Sequence, residues 1–439
     1  MNLTTHVGFL TGAAALTMCG VAGAGTEAEN LQERIDKLES QLAELTAGTD
    51  SDLAERRSEE VRGLINDVLA DADSRASLLQ QDGRAGYREG EGFVIGDDRN
   101  RLAIGALTQV RWQYNNNDGD NVADEHRAGF ENPNTRVRLQ GRIGGDWGFY
   151  IQGNHSTVGG GYGLLDAYAT YSMDENLTLQ VGQFKAPILR ETIVDAGNQL
   201  GVHRSLLHDA FTGGRTQGIA INYQDEMLNV TGSFNDGANR ANTPAYFPGV
   251  GGTEWAFTGR VEGLLQGTWG QFEDFSSWDG EEMGILIGGA AHYEADEYGS
   301  AAYGEKAKRF VGTIDAQANF GNASLFGAFV YRNINPDESP SMDQWGLMAQ
   351  GGMFFVPNEW EVFGRFEWGD DDSNFEDLVV GTLGVNRYFH RHNAKWSTDI
   401  GWNFNRDVSP TWSSLGSGWR PNTTSDRQFV LRSQVQLMF

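Results

Sequence analysis

The chain has 439 residues and a formal net charge of −27 at pH 7, with 33 Lys and Arg against 60 Asp and Glu. That balance excludes nucleic acid as a partner, because phosphate binding needs a basic face. Past the extreme N-terminus no window approaches the eighteen or so apolar residues of a spanning helix, so a helical membrane protein is excluded; a Gly-rich, aromatic-rich β-barrel, which hides its hydrophobicity in alternation, is allowed.

Residues 1–24 read as a secretory signal, with an apolar segment from Val7 to Ala24 and an A-x-A cleavage site at Ala22-Gly23-Ala24. The only cysteine, Cys19, falls inside it, so a chain starting near Gly25 carries no thiol. The n-region lacks Lys and Arg, and Met18 before Cys19 fits a lipoprotein signal poorly. Residues 25–82 are expected to be helical. Leu31, Ile35, Leu38, Leu42 and Leu45 form a heptad seam with charged flanks, which calls for partner helices, whereas the plainer alternative is one amphipathic helix packed on its own domain. A second helical run, Asp52 to Gln81, stops at Gly83, and 83–100 reads as a linker loop.

From Arg101 to Phe439 the pattern changes to period two. Sixteen candidate strands follow, at 101–114, 134–144, 147–156, 164–173, 176–186, 216–224, 226–235, 254–266, 283–295, 308–320, 322–333, 344–355, 358–368, 377–388, 393–405 and 426–439. The last is the clearest: Phe429, Leu431, Val435, Leu437 and Phe439 share one face, while Gln428, Arg432, Gln434 and Gln436 share the other. Tight turns at 144–146, 174–175, 225, 321, 356–357 and 391–392 alternate with long segments at 115–133, 187–215, 236–253, 334–343 and 406–425. An even strand number, alternating faces, this turn rhythm and Trp and Tyr near strand ends predict an all-β transmembrane barrel of sixteen antiparallel strands at 101–439, preceded by an α-helical coiled-coil segment in the periplasm. One connection breaks the rhythm. Residues 267–282 should form a short turn but carry Trp269, Phe272, Phe275 and Trp278 at three-residue steps, predicting a structured turn packed on the barrel or at the membrane interface.

Three further motifs carry little. Gly159 to Gly163 lacks the helix and Gly-Lys-Ser of a phosphate loop and reads as an outer hairpin. Asp370 to Asp377 offers oxygen ligands without the Gly of an EF-hand and reads as a solvated loop. His390-Arg391-His392 reads as an exposed turn. No G-x-S-x-G, H-E-x-x-H or Ser/His/Asp set is present, so no enzyme activity, cofactor or metal is expected.

Val181-Gly182-Gln183-Phe184-Lys185-Ala186-Pro187, then Glu191, His203-Arg204-Ser205-Leu206 and Gly214-Arg215-Thr216-Gln217-Gly218-Ile219 resemble the central signature of the phosphate-selective porins O and P family. The stretch from Ser74 through Gly92-Phe93-Val94-Ile95 to Tyr114 is similar to porin-like members with an N-terminal helical region, and the likeness spans roughly 60–439. It implies a trimeric sixteen-stranded channel whose third loop folds inward to form the constriction. The arginine staircase and lysine cluster of the phosphate-specific members find no residue-by-residue match, which puts phosphate selectivity in doubt.

Alternation places Arg101, Arg111, Arg136, Arg138 and Arg142 inside, with Arg260, Arg309, Arg365, Lys395 and Arg432 on later strands, against Asp166, Glu254, Glu262, Asp315, Glu361, Glu367 and Asp399. The inner-loop candidate 187–215 adds Arg190, His203, Arg204, His208 and Arg215. The expected constriction and anion-binding set is therefore Lys185, Arg190, His203, Arg204 and Arg215 at the loop, with Arg111, Arg136 and Arg138 on the wall. The loop arginines are expected to dominate, Arg136 and Arg138 being partly balanced by inward carboxylates. The expected function is an outer-membrane porin that allows passive diffusion of small hydrophilic solutes with a preference for small anions such as phosphate, sulfate or carboxylate. The alternative is an envelope-tethering protein whose barrel is only an anchor.

Overall fold

In the computed structural model, residues 84–88, 90–117, 126–155, 160–242, 253–296, 305–406, 409–420 and 427–439 are described, together with positions 37 and 40. The expected signal segment and almost all of the helical region lie outside them. Every strand foreseen from Arg101 onward forms: β3 (Arg101–Asn117), β4 (His126–Ile143), β5 (Trp147–His155), β6 (Tyr162–Ser172), β7 (Leu177–Lys185), β8 (Arg215–Gln224), β9 (Leu228–Asn235), β10 (Trp255–Gln266), β11 (Gly284–Asp296), β12 (Ala307–Asn319), β13 (Ala323–Pro336), β14 (Met342–Val356), β15 (Trp360–Asp370), β16 (Leu378–His390), β17 (Ala394–Asn403) and β18 (Gln428–Met438). Each pairs antiparallel with the next, and β18 pairs with β3 from Gln428↔Asn117 to Met438↔Leu107. The sheet therefore closes, leaving no edge to expose unpaired backbone to lipid.

Alternation assigns the two faces. Along β10, Phe257 and Val261 are exposed while Thr258, Arg260 and Glu262, on the other face, are buried. The outer belt continues through Ile314, Leu347, Leu383 and Leu437, all exposed on a face that carries no charge at these positions. Such a belt is stable against hydrocarbon and would be an aggregation surface in water.

Three segments differ from expectation. The 83–100 segment, read as a linker, contains a hairpin of β1 (Arg84–Arg88) and β2 (Gly92–Gly96). β2 pairs with Arg101–Ile104 of β3, directly beyond the point where Phe439 exchanges backbone hydrogen bonds with Ala106. The 115–133 and 334–343 loops are shorter than expected because β3, β4, β13 and β14 run further, through polar residues that alternation on hydrophobicity does not score. The His390–His392 turn is not wholly exposed: His392 is buried, its Nε2 3.2 Å from Asp274.

The lumen is partly filled by protein. Residues 186–214, between β7 and β8, turn inward. They contain α1 (Arg190–Ile193) and α2 (Leu206–Phe211), and the Ser205 hydroxyl caps α2 by accepting from the His208 amide at 2.9 Å. Ile188, Leu206, Leu207 and Phe211 pack in one cluster with the inward-facing Val330, Met348, Leu378 and Val380 of β13, β14 and β16 and with Trp412 from 409–420. Wall side chains clamp the loop's backbone: Asn386 donates to Leu200 O at 2.9 Å, Lys395 to Gln199 O at 2.8 Å, and Asp399 accepts from Val202 N at 3.0 Å. An apolar core thus lies inside the barrel along one half of its wall.

The 267–283 connection is structured, as its aromatic spacing predicts, and the barrel surface it packs against is the inner one. Thr268 and Gln271 form a capping box over a short helical turn, Trp269–Phe272. Phe275 then meets Phe326 at 4.8 Å between ring centres, and Trp278 meets Tyr388 at 4.9 Å and Phe354 at 5.3 Å. Phe326, Phe354 and Tyr388 are the buried, inward members of their strands. Gln317 and Asn319 complete the attachment by donating to the Asp274 and Gln271 carbonyls at 2.8 and 3.0 Å.

Candidate functional site

Strand β7 delivers the first cation. Gly182 sits at φ +134°, and a Cβ there would lie 2.3 Å from the Ala167 carbonyl oxygen, so only glycine fits. Past it the alternation lapses: Gln183 and Phe184 are both buried, and Lys185 reaches into the lumen to pair with Asp195 of the inner loop at 2.7 Å. Arg138 of β4 reaches the other Asp195 oxygen at 3.8 Å. Arg215, at the start of β8, holds Asp166 of β6 through two contacts of 3.2 and 3.0 Å. Arg136 is in electrostatic reach of Arg204, Arg215, Asp195 and Asp166.

Five cationic side chains, Arg136, Arg138, Lys185, Arg204 and Arg215, therefore converge with two carboxylates, leaving a formal excess of three positive charges. Burial alone would raise the Asp195 carboxyl, but Lys185, with Arg136 and Arg138, holds it well below the usual carboxylate range. It stays ionised and anchors the cluster. The Nε atoms of Arg136 and Arg138 are buried without a hydrogen-bond partner. An unpaired guanidinium N–H in a low-dielectric neck costs free energy until an acceptor arrives.

The other expected site residues sit elsewhere. Arg190 pairs with Glu262 at 3.1 Å and donates to the Phe272 carbonyl, tying the inner loop to the 267–283 segment. Arg111 braces the adjoining β3 wall, donating to Gly416 O at 2.6 Å, Val202 O at 2.9 Å and Gln434. His203 lies beside it, with Nδ1 3.7 Å from Asp209. Burial pushes the His203 imidazole down to about 3; Asp209 opposes this and Arg111 and Arg432 reinforce it. It is neutral at pH 7 and adds no charge to the neck. Within the neck, Arg204 spends two donors on the Glu191 and Val194 carbonyls, at 2.6 and 2.8 Å. Of the wall residues expected inside, Arg142 and Glu254 are exposed at strand ends. Among the described residues no group of three His, Cys, Asp or Glu side chains could hold a metal ion.

Sequence reasoning missed the aromatic and amide lining below the neck. Tyr150 and Tyr168 are opposed on β5 and β6 with ring centres 5.2 Å apart and planes 11° from parallel. With Trp269 and Phe272 they line a cavity of about 540 Å³ between the inner loop, the β5–β10 wall and the 267–283 segment. Their inward parity was readable once β5 and β6 were placed, but a tyrosine on a barrel strand reads first as interfacial.

Protonation of His203 provides a test of the loop's seating. Its folded form is neutral, so its contribution to stability is complete above the ordinary imidazole value of about 6.5 and is lost as pH falls from there toward 3. The loss reaches up to about 1.4 kcal/mol per pH unit. Single-channel recordings at pH 7.5 and 4.5 should show added gating noise at the lower pH. His203→Gln should remove the difference, and equal noise in wild type at both values would show that His203 does not hold the loop.

A closed sixteen-stranded antiparallel barrel with an apolar belt, short turns at one end and an inward-folded loop between its fifth and sixth barrel strands has the architecture of the outer-membrane porins. Residues 104–292 match the model of the phosphate-selective porin O and P family, so this stretch carries the family's pattern, as the motifs at 181–219 led us to expect. Among solved structures the chain is similar to an anion-selective porin from Comamonas acidovorans, with 15% identity and TM-score 0.56, covering 78% of this chain and 100% of that one. It is also similar to the trimer form of OmpT from Vibrio cholerae, with 9% identity and TM-score 0.51 over 77% of this chain and 100% of that one. A third likeness is to the outer membrane channel DcaP of Acinetobacter baumannii, with 12% identity and TM-score 0.51 over 81% of this chain and 100% of that one. At these identities the likeness is one of fold. No curated protein matches the sequence.

Proposed function

We propose that the barrel is a passive outer-membrane channel for small hydrophilic solutes and that it prefers anions. The observation that carries this reading is the neck: five cations against two carboxylates, with two unpaired guanidinium N–H groups. Arginine in a confined, poorly hydrated passage attracts phosphate, sulfate or carboxylate far more strongly than it does in open water. No covalent chemistry is involved. An anion exchanges part of its hydration for guanidinium contacts and regains it beyond the neck, so the contact must stay weak enough for release. The anion-selective porin among the structures of similar fold supports the reading. Reversal potentials in a salt gradient test it: a wild-type channel that prefers cations overturns it.

On this reading the short-turn end faces the periplasm, where both ends of the barrel chain emerge. The channel is a homotrimer, which the trimer form of the V. cholerae barrel supports, and the heptads at 31–45 help to hold it together. Changing Ile35, Leu38 and Leu42 to Asp would place charges in the seam, where packed helices cannot solvate them. The expected result is a less heat-stable trimer on a gel with intact barrels. An unchanged trimer melting profile would mean that this segment is not an oligomerising coiled coil.

A further inference from the structure

The cavity beneath the neck has a different chemistry from the neck itself. The charges of its guanidiniums are already balanced: Arg260 pairs with Glu262 at 2.9 Å and Asp315 at 2.8 Å, and Arg190 shares Glu262 at 3.1 Å, so this quartet is neutral. Besides the Glu273 carboxyl, the lining offers a solute the Tyr150 and Tyr168 phenols, the ring face of Trp269 and the amides of Gln180 and Gln224. Aromatic faces accept the C–H faces of a sugar-like ring, and amides and phenols exchange hydrogen bonds with hydroxyls. The volume of about 540 Å³ lies within the range of pockets that enclose small molecules, roughly 300–1,000 Å³. Neck and cavity also adjoin. Lys185 and Asp195 line both, and Arg138 is in hydrogen-bonding reach of Tyr150.

We propose that this chamber holds the uncharged polyhydroxylated body of a solute whose anionic group sits among Arg136, Arg138 and Lys185. The preferred cargo is then a phosphorylated or carboxylated sugar rather than a bare inorganic anion. The inference rests on the anion-channel reading and adds a second recognition element to it. A bare anion engages the neck alone and a neutral sugar engages the chamber alone, whereas a sugar phosphate engages both in one step and dwells longer.

Single-channel recording of the full-length protein in planar bilayers tests this with three probes at equal concentration: glucose 6-phosphate, inorganic phosphate and glucose. Glucose 6-phosphate should interrupt the current with dwell times about tenfold longer than phosphate, the ratio that about 1.4 kcal/mol produces. Glucose should give no resolved events. Tyr150→Leu with Tyr168→Leu should abolish the advantage of glucose 6-phosphate and leave the phosphate events and the reversal potential unchanged. Gln224→Leu, a single change at the chamber wall, should shorten glucose 6-phosphate events in the same direction if the double variant fails to assemble. Equal dwell times for glucose 6-phosphate and phosphate in wild type overturn the chamber while leaving the anion-channel reading intact. Glucose events as long as those of glucose 6-phosphate overturn the joint site, and loss of anion preference in the reversal potential removes both.

Discussion

A channel carrying Arg136→Glu and Arg138→Glu should prefer cations. Both residues sit on β4, a strand held on both sides by its neighbours, so the substitution moves charge without moving backbone. The formal excess of three positive charges in the neck becomes a deficit of one. A unit charge at about 4 Å is worth about 1 kcal/mol in water and about 4 kcal/mol at an effective dielectric of 20. Since about 1.4 kcal/mol is tenfold, the anion-to-cation permeability ratio should fall by at least roughly tenfold at 0.1 M salt. The shift should shrink at 1 M, where the Debye length drops from about 10 Å to about 3 Å. Arg190→Gln is the control: it lies outside the neck cluster, paired with Glu262 and bonded to the Phe272 carbonyl, so the reversal potential should hardly move. The sequence alone ranks the loop arginines above the wall. The structure argues for the opposite order, because Arg190 is paired with Glu262 away from the neck and Arg204 spends two donors on backbone carbonyls, while Arg136 and Arg138 stand within the cluster that carries the positive excess. An unchanged reversal potential in the β4 variant would show that this cluster is not the filter.

Excising 268–282 and joining β10 to β11 by an Asn-Gly turn should raise single-channel conductance severalfold. The segment occupies the lumen at the short-turn end, where Phe272, Phe275 and Trp278 are buried. It also supplies the Phe272 carbonyl that receives Arg190 and the Glu273 carbonyl that receives Asn198 at 3.3 Å, so the inner loop loses a support. Open-channel noise should therefore rise together with conductance. The barrel should still form, because its ladder hydrogen bonds close without the segment. Heat-modifiable gel migration checks that point, and unchanged conductance in a folded variant would show that the ion path bypasses the segment.

What could be read from the sequence follows from which environments differ in water content. Lipid and lumen differ, so strand positions emerged within a few residues, most clearly in β18, where Val435 and Leu437 alternate with Gln434 and Gln436. Lipid and a protein core do not differ. Leu325-Phe326, Phe329-Val330 and Leu378-Val379-Val380 are apolar on both faces because one face meets the membrane and the other meets the inner loop. Those runs were the available signal that the lumen of β13–β16 is filled. The aromatic spacing of 267–283 announced a structured turn, but nothing in a three-residue step says which side of the wall it chooses. The cluster of the neck was legible as a list of cations. Its energetics were not, since the sequence does not show which guanidinium meets a carboxylate, which meets a carbonyl and which meets neither. The hairpin at 84–96 was missed because two five-residue strands are too short for a period to register.

That hairpin has a consequence for the barrel's geometry. Along the edge of β3, β2 ends its pairing at Ile104 and the chain terminus begins at Ala106, so two segments share one edge almost end to end. The Phe93 and Phe439 rings meet edge-on at 5.3 Å across the junction. If β18 slid two residues along β3 toward β2, keeping its faces correct, its terminus would run into a place already taken. Sliding the other way would leave the β3 groups at Ala106 unpaired. A closed sheet whose closing strand can choose among offsets can choose among diameters, because stagger and girth are linked. By occupying the edge of β3 beyond Ala106, the short hairpin blocks one of the two directions in which the closing strand could change the girth of the channel.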